Sequence, residues 1–140
     1  MNSLKLGDYI LLKKQYPCKV IEINKSAPGK HGHAQYNVVG RDVITDKKYN
    51  ELFKHHDHYT TVEVLKRNYM GMSIDDDGFL SMFDDDMSER TDLQLKDDEM
   101  RKAVREFEET AGEFTVEMVK VIMPDKSVRE RVLKITKYQS

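Results

Sequence analysis

At 140 residues the chain has room for one ordinary domain or two very small ones, which excludes large enzymes and long repeat arrays. Hydrophobic residues make up 39% and charged residues 34%, with 7 Gly and 3 Pro, a globular profile rather than a disordered or collagen-like one. The net charge of -2 hides a split: residues 1–66 carry 11 Lys+Arg against 7 Asp+Glu, residues 67–140 carry 12 against 18, and all five histidines fall in the first part. Two bodies with different partners are expected, the first facing a polyanion. No apolar run approaches the ~18 residues of a spanning helix. Met1 to Lys14 shows no secretory pattern and Cys18 has no second cysteine to pair with, so a cytoplasmic protein without membrane partners is expected.

The first half reads as short strands. Leu6 to Leu12 is apolar-rich, Cys18 to Ile23 places Val20, Ile21 and Ile23 among polar residues, and Tyr36 to Val39 is a third β-prone run. Val43-Ile44 precedes a turn signal at Thr45-Asp46-Lys47-Lys48, followed by Tyr49 to Phe53 and a last run, Tyr59 to Leu65. Five short strands without a helical period imply a small barrel or sandwich.

The second half changes rhythm. Tyr69 to Ile74 and Phe79 to Phe83 flank Asp75-Asp76-Asp77-Gly78, and Asp84-Asp85-Asp86 leads to a third run ending at Leu93-Gln94-Leu95. Met100, Ala103, Val104, Phe107 and Ala111 then recur at helical steps, with Asp97, Asp98 and Glu99 in the first turn and Gly112 as the stop. Phe114 to Met123 and Val128 to Ile135 return to strand around a turn at Pro124 to Ser127. Three strands, a helix and two strands is the order of an oligonucleotide/oligosaccharide-binding (OB) fold, so the division is placed at 1–66 and 67–140.

Function is expected between the strand ending at Ile23 and the one starting at Tyr36, because twelve residues are far more than a hairpin turn needs. Pro28 presets a turn, Gly29 accepts the positive φ a type II turn requires next, and Lys30 comes directly after, flanked by Gly32. From Ile23 to Arg41 there is no Asp or Glu, an absence a random window of that length would show roughly 2% of the time. A tip bearing Lys25, Lys30, His31 and His33 without acids suits phosphate or nucleic acid, since no carboxylate captures the amines.

The run Gly29-Lys30-His31-Gly32-His33-Ala34 resembles the loop of the eukaryotic translation initiation factor 5A family, in which the lysine between the glycines is modified. Tyr16 to Glu22, Val39 to Asp42, Asp46 to Tyr49 and Val64 to Tyr69 are similar to that family's first domain and linker, and Asp77 to Met82 and Arg90 to Leu95 to its second. The resemblance implies a mainly β chain: an SH3-like small barrel over 1–66, then an OB-fold barrel over 67–140 with one helix between its third and fourth strands. It implies a translation factor, not an enzyme, that binds the ribosome and reaches the acceptor end of peptidyl-tRNA. There it would promote elongation at stalling sequences such as proline runs and assist termination. Lys30 would be the hypusine site, made from spermidine by deoxyhypusine synthase and deoxyhypusine hydroxylase, with no other cofactor. Lys25, Gly29, His31, Gly32 and His33 would be the contacting loop residues. Ala27 and Pro28 stand where the family usually has Lys and Thr, and Gln35 where it usually has Lys, so this loop is less basic and stiffer. The competing reading is an RNA-binding module with an unmodified Lys30.

Other constellations carry less. His31-x-His33 and His55-His56-x-His58 come with a single cysteine, unlike the four-ligand, thiolate-containing sites structural zinc prefers. An EF-hand register over Asp75 to Gly78 puts Asp84 where a bidentate Glu belongs, so no metal is expected. Cys18, inside an apolar run, reads as a small buried hydrophobe. Phe79 and Phe83 offer a stacking platform only beside acidic turns that repel a phosphate backbone.

Overall fold

The computed structural model describes residues 3–26 and 34–138. Contacts group the chain into two compact units, Met1–Leu65 with Val121–Arg129 and Lys66–Lys120 with Glu130–Ser140.

In the first unit β1 (Tyr9–Leu12), β2 (Tyr16–Ser26), β3 (Gln35–Asp42) and β4 (Lys48–Lys54) form an antiparallel sheet in the order β1-β2-β3-β4. Along β3 every second residue, Tyr36, Val38, Gly40 and Asp42, is buried, the period-2 pattern of a sheet with one wet face. Tyr36 and Val38 join Ile10, Leu12, Cys18, Val20 and Phe53 in one core. Gly40 permits the close approach of its neighbours, since a Cβ there would lie 2.6 Å from Cys18 Cβ and 2.8 Å from Leu12 Cδ1.

The run expected from Tyr59 to Leu65 and the one from Tyr69 to Ile74 are a single strand, β5 (Glu63–Ile74). What remains of the fifth barrel element is a short crossing over β1: Leu11 N donates to Thr60 O at 2.8 Å and Val62 N to Tyr9 O at 3.2 Å. Val43-Ile44, just ahead of the turn signal read at Thr45 to Lys48, already belongs to the turn. The buried Asp42 accepts from Ile44 N at 2.8 Å and Thr45 N at 3.1 Å, closing the backbone on itself.

The second sheet adds β6 (Leu80–Phe83), β7 (Glu89–Arg90), β8 (Phe114–Ile122) and β9 (Val128–Lys137) in the order β7-β6-β5-β8-β9. Helix α1 (Asp98–Thr110) lies in the chain between β7 and β8, hence between the third and fourth strands of this barrel. Asp97 caps it by accepting from Met100 N at 2.9 Å, and Gly112, at φ +81°, sends its N–H back to Phe107 O. Val104 is fully buried beneath the helix with Leu80, Met82, Phe114, Val116 and Met118, and Met100 and Phe107 pack alongside. The chain is thus mainly β, an N-terminal curled, partly closed small barrel followed by an OB-fold barrel with one helix.

Arg90 joins the two edge strands of the second sheet. From β7 it donates to both carboxylate oxygens of Glu130 on β9, at 2.8 and 2.6 Å. It also holds Asp92 through Nε at 2.7 Å and Nη2 at 3.1 Å, and its guanidinium carbon lies 5.6 Å from the Tyr69 ring centroid. A bidentate, half-buried fork is the geometry in which an ion pair outweighs its desolvation.

Candidate lysine-loop site

Of the residues singled out by sequence, Lys25 lies within the described residues, whereas Gly29, Lys30, His31, Gly32 and His33 lie outside them. What the structure supplies is the support on either side. β2 and β3 pair in register from Ile23↔Val38 through Asn24↔Asn37 and Lys25↔Tyr36 to Ser26↔Gln35. The strands therefore run farther than the apolar pattern implied, and the connection shrinks from the expected twelve residues to the eight from 27 to 34. Its two feet are fastened to the first core, where Ile23 and Ala34 both pack. A register shift between Val20 and Glu22 inserts an extra residue at the base of this ladder, a bulge of the kind that increases strand twist and re-aims the outer half of β2.

Lys25 is exposed, and its Nζ stands 5.9 Å from the centroid of the Tyr36 ring, its ladder partner. A cation–π contact of this kind is worth ~0.5–1 kcal/mol at an exposed site. No carboxylate within the β2–β3 tip competes for it, as the acid-free sequence requires. On the other side of the stem, Asn50 Nδ2 donates to Asn37 Oδ1 at 3.2 Å, tying β4 to β3.

The end of β4 lies beside this hairpin, a neighbourhood the sequence does not announce. Gln35 pairs with Lys54 as well as with Ser26, so Ser26, Gln35 and Lys54 form one row across three strands. The turn after Lys54 carries His55, His56 and His58, all exposed. The signal in the sequence was the histidine cluster, correctly placed in a solvated loop; its position beside the lysine hairpin depends on register, which composition does not encode.

Chemically, the described part of the site holds and presents. Cys18 at the foot of β2 is fully buried, and burial together with the nearby Asp42 carboxylate pushes its thiol up from 9.0 to about 12. It is protonated at neutral pH, as expected for a buried hydrophobe, and a poor nucleophile. Asp75, in the acidic turn of the second unit, spends its carboxylate on Asp77 N at 3.0 Å and Phe79 N at 2.9 Å. Among the described residues no group of three or more His, Cys, Asp or Glu could hold a metal ion, and no helix is long and apolar enough to cross a membrane.

Comparison with known proteins gives these features a context. Residues 1–56 match the family Translation initiation factor 5A-like, N-terminal, and residues 63–131 match Eukaryotic elongation factor 5A hypusine, DNA-binding OB fold. Eukaryotic translation initiation factor 5A-2 of Caenorhabditis elegans is 32% identical over 123 residues, covering 86% of this chain and 75% of that one. Eukaryotic translation initiation factor 5A-3 of Arabidopsis thaliana is 35% identical over 98 residues, covering 70% of this chain and 61% of that one. A Naegleria fowleri translation initiation factor of the same family superposes with a TM-score of 0.80 at 27% identity, covering 96% of this chain and 93% of the other. The Methanococcus jannaschii factor, at 20% identity and a TM-score of 0.62, shares the fold. The two matched halves, in this order and with this topology, make the chain a translation factor of the translation initiation factor 5A family.

Proposed function

We propose that the chain acts on cytoplasmic ribosomes by presenting a hypusine-bearing Lys30 to the acceptor end of peptidyl-tRNA, promoting elongation at stalling sequences such as proline runs and assisting termination. The observation that carries this reading is the β2–β3 ladder. It stays in register as far as Ser26↔Gln35, with Lys25 exposed at its end and no acidic residue from Ile23 to Arg41. A lysine delivered on such a stem meets phosphate without an internal carboxylate to capture it. Transfer of the aminobutyl group of spermidine to Lys30 Nζ by deoxyhypusine synthase, with 1,3-diaminopropane leaving, lengthens the arm and adds a second protonated amine, and deoxyhypusine hydroxylase then adds a hydroxyl to it. The arm then reaches a site the barrel itself is too wide to enter, and the factor works by holding substrates in place rather than by covalent chemistry of its own.

Peptide mass spectrometry on protein from its native cells tests this. The peptide containing Lys30 should carry the added aminobutyl group, and Lys30→Arg, which keeps the charge but does not accept the group, should abolish relief of proline-run stalling in a reconstituted translation assay. An unmodified Lys30, or full function of the arginine variant, overturns the proposal in favour of an RNA-binding module with an ordinary lysine.

A further inference from the structure

The row Ser26, Gln35, Lys54 places the paired ends of β2 and β3 beside the turn that follows β4, at one end of the first sheet. With strands ~4.8 Å apart, the Cα atoms of Ser26 and Lys54 stand about 10 Å from each other across Gln35. Side chains of paired residues share a face, so Lys54 points to the face opposite the buried Tyr36 and Phe53, and it is exposed. The turn after it is closed locally: Lys54 N donates to Asp57 Oδ2 at 2.8 Å and Asp57 N to Lys54 O at 3.0 Å. Its sole carboxylate thereby faces inward onto the turn's own backbone. The His55 and His56 rings meet edge-on with centroids 5.1 Å apart, and His55 and His58 are both exposed. Glu51, the nearest acid on β4, is engaged elsewhere, by Lys13 N.

We infer that the turn formed by Lys54, His55 and His58 is a second contact for RNA phosphate, gripping the backbone of the same RNA that the lysine hairpin approaches. The inference rests on the proposed function for its partner, and adds a surface that the hairpin does not include. One lysine ammonium and two imidazoles supply N–H donors to a phosphate whichever tautomer the imidazoles adopt. A site about 10 Å from the hairpin's foot spans about three phosphate repeats along a helical strand, at ~3.4 Å of rise each. Two contacts that far apart fix the orientation of the RNA against the hairpin, which one contact leaves free.

The experiment is the salt dependence of binding to a fluorescently labelled transfer RNA, read by anisotropy. It uses the full chain carrying Lys54→Gln, His55→Gln and His58→Gln together, with Lys102→Gln on the exposed face of α1 as the control for a generic loss of charge. The triple variant should bind roughly tenfold more weakly, and the slope of log affinity against log salt should become shallower by about one. Lys102→Gln should change neither, and mass spectrometry should find Lys30 in the same state in all three proteins. An unchanged slope and affinity in the triple variant, or an equal loss in Lys102→Gln, overturns the second contact while leaving the role of Lys30 standing. Failure of the wild-type chain to bind transfer RNA at all overturns both readings.

Discussion

Two cations of this molecule have opposite fates. Arg90 is surrounded by its own charges and ring, with Asp92, both oxygens of Glu130 and the Tyr69 face within reach. Lys25 has an aromatic ring beneath it, in a stretch of sequence stripped of acids. The first cation is consumed in closing a barrel, and its protonated form is stabilised far above the already high ordinary value, chiefly by the hydrogen bonds to Glu130 and then Asp92. The second, in the proposed function, is left to an external anion. Formal charge alone does not separate them; the carboxylates around each one do.

Removing the clasp is the strongest way to break the comparison. Arg90→Met keeps much of the side-chain volume but leaves Glu130, with a side chain 19% exposed, without its guanidinium. The expected loss is about 2–3 kcal/mol in denaturant unfolding, at the lower end for breaking a paired, mostly desolvated ion because both groups retain some water. Adding Glu130→Met should recover part of it, since no orphaned carboxylate remains. A loss below about 0.5 kcal/mol would show that the strands hold the barrel closed without the charges.

The two units should also fail at opposite ends of the pH scale. Asp92 is held below its ordinary 3.8, first by the hydrogen bond from Arg90. A lowered carboxyl contributes stability that is present above pH 3.8 and is lost as the pH falls below it, so the second unit should weaken in acid. Cys18 is raised from 9.0 to about 12 by burial and by Asp42. Between those values the unfolded thiol gives up its proton first, so the first unit should lose on the order of 2–3 kcal/mol by pH 11. Stability curves against pH for Arg90→Met and Cys18→Ala are the measurement. The first variant should flatten the acid limb alone and the second the alkaline limb alone; a shared response of both limbs would merge the units energetically.

The strands that alternate were legible, as were the helix with its Asp97 cap and Gly112 stop, because one face of each is apolar and its ends carry chemical markers. The outermost rungs of the lysine hairpin were not. Asn24, Lys25, Ser26 and Gln35 are all polar, and their pairing is made by backbone groups that every residue shares. For the same reason exposed Lys66-Arg67-Asn68 read as a link between strands although it lies inside β5. The turn after β3 was legible only from Thr45 to Lys48; that it begins at Val43 depends on the buried Asp42 carboxylate, which accepts from Ile44 N and Thr45 N. The Arg90 clasp and the row from Ser26 to Lys54 join residues 40 and 28 positions apart, and nothing in a single sequence fixes such a register.

The smallest expected effect sharpens the comparison from the other side. Lys25→Met preserves the apolar stem over Tyr36 and removes only the ammonium. The fold should register this as no more than about 0.5 kcal/mol, because an exposed cation–π contact is weak and a thioether over the same ring recovers part of it. Binding to transfer RNA should nevertheless weaken, with a salt slope shallower by roughly one, since one phosphate-facing charge is gone. Arg90→Met should show the reverse, a large loss of stability with an unchanged salt slope at temperatures where it remains folded. If Lys25→Met instead destabilises the first unit as much as Arg90→Met destabilises the second, Lys25 is a structural pin of the hairpin and the acid-free tip has a folding role rather than a binding one.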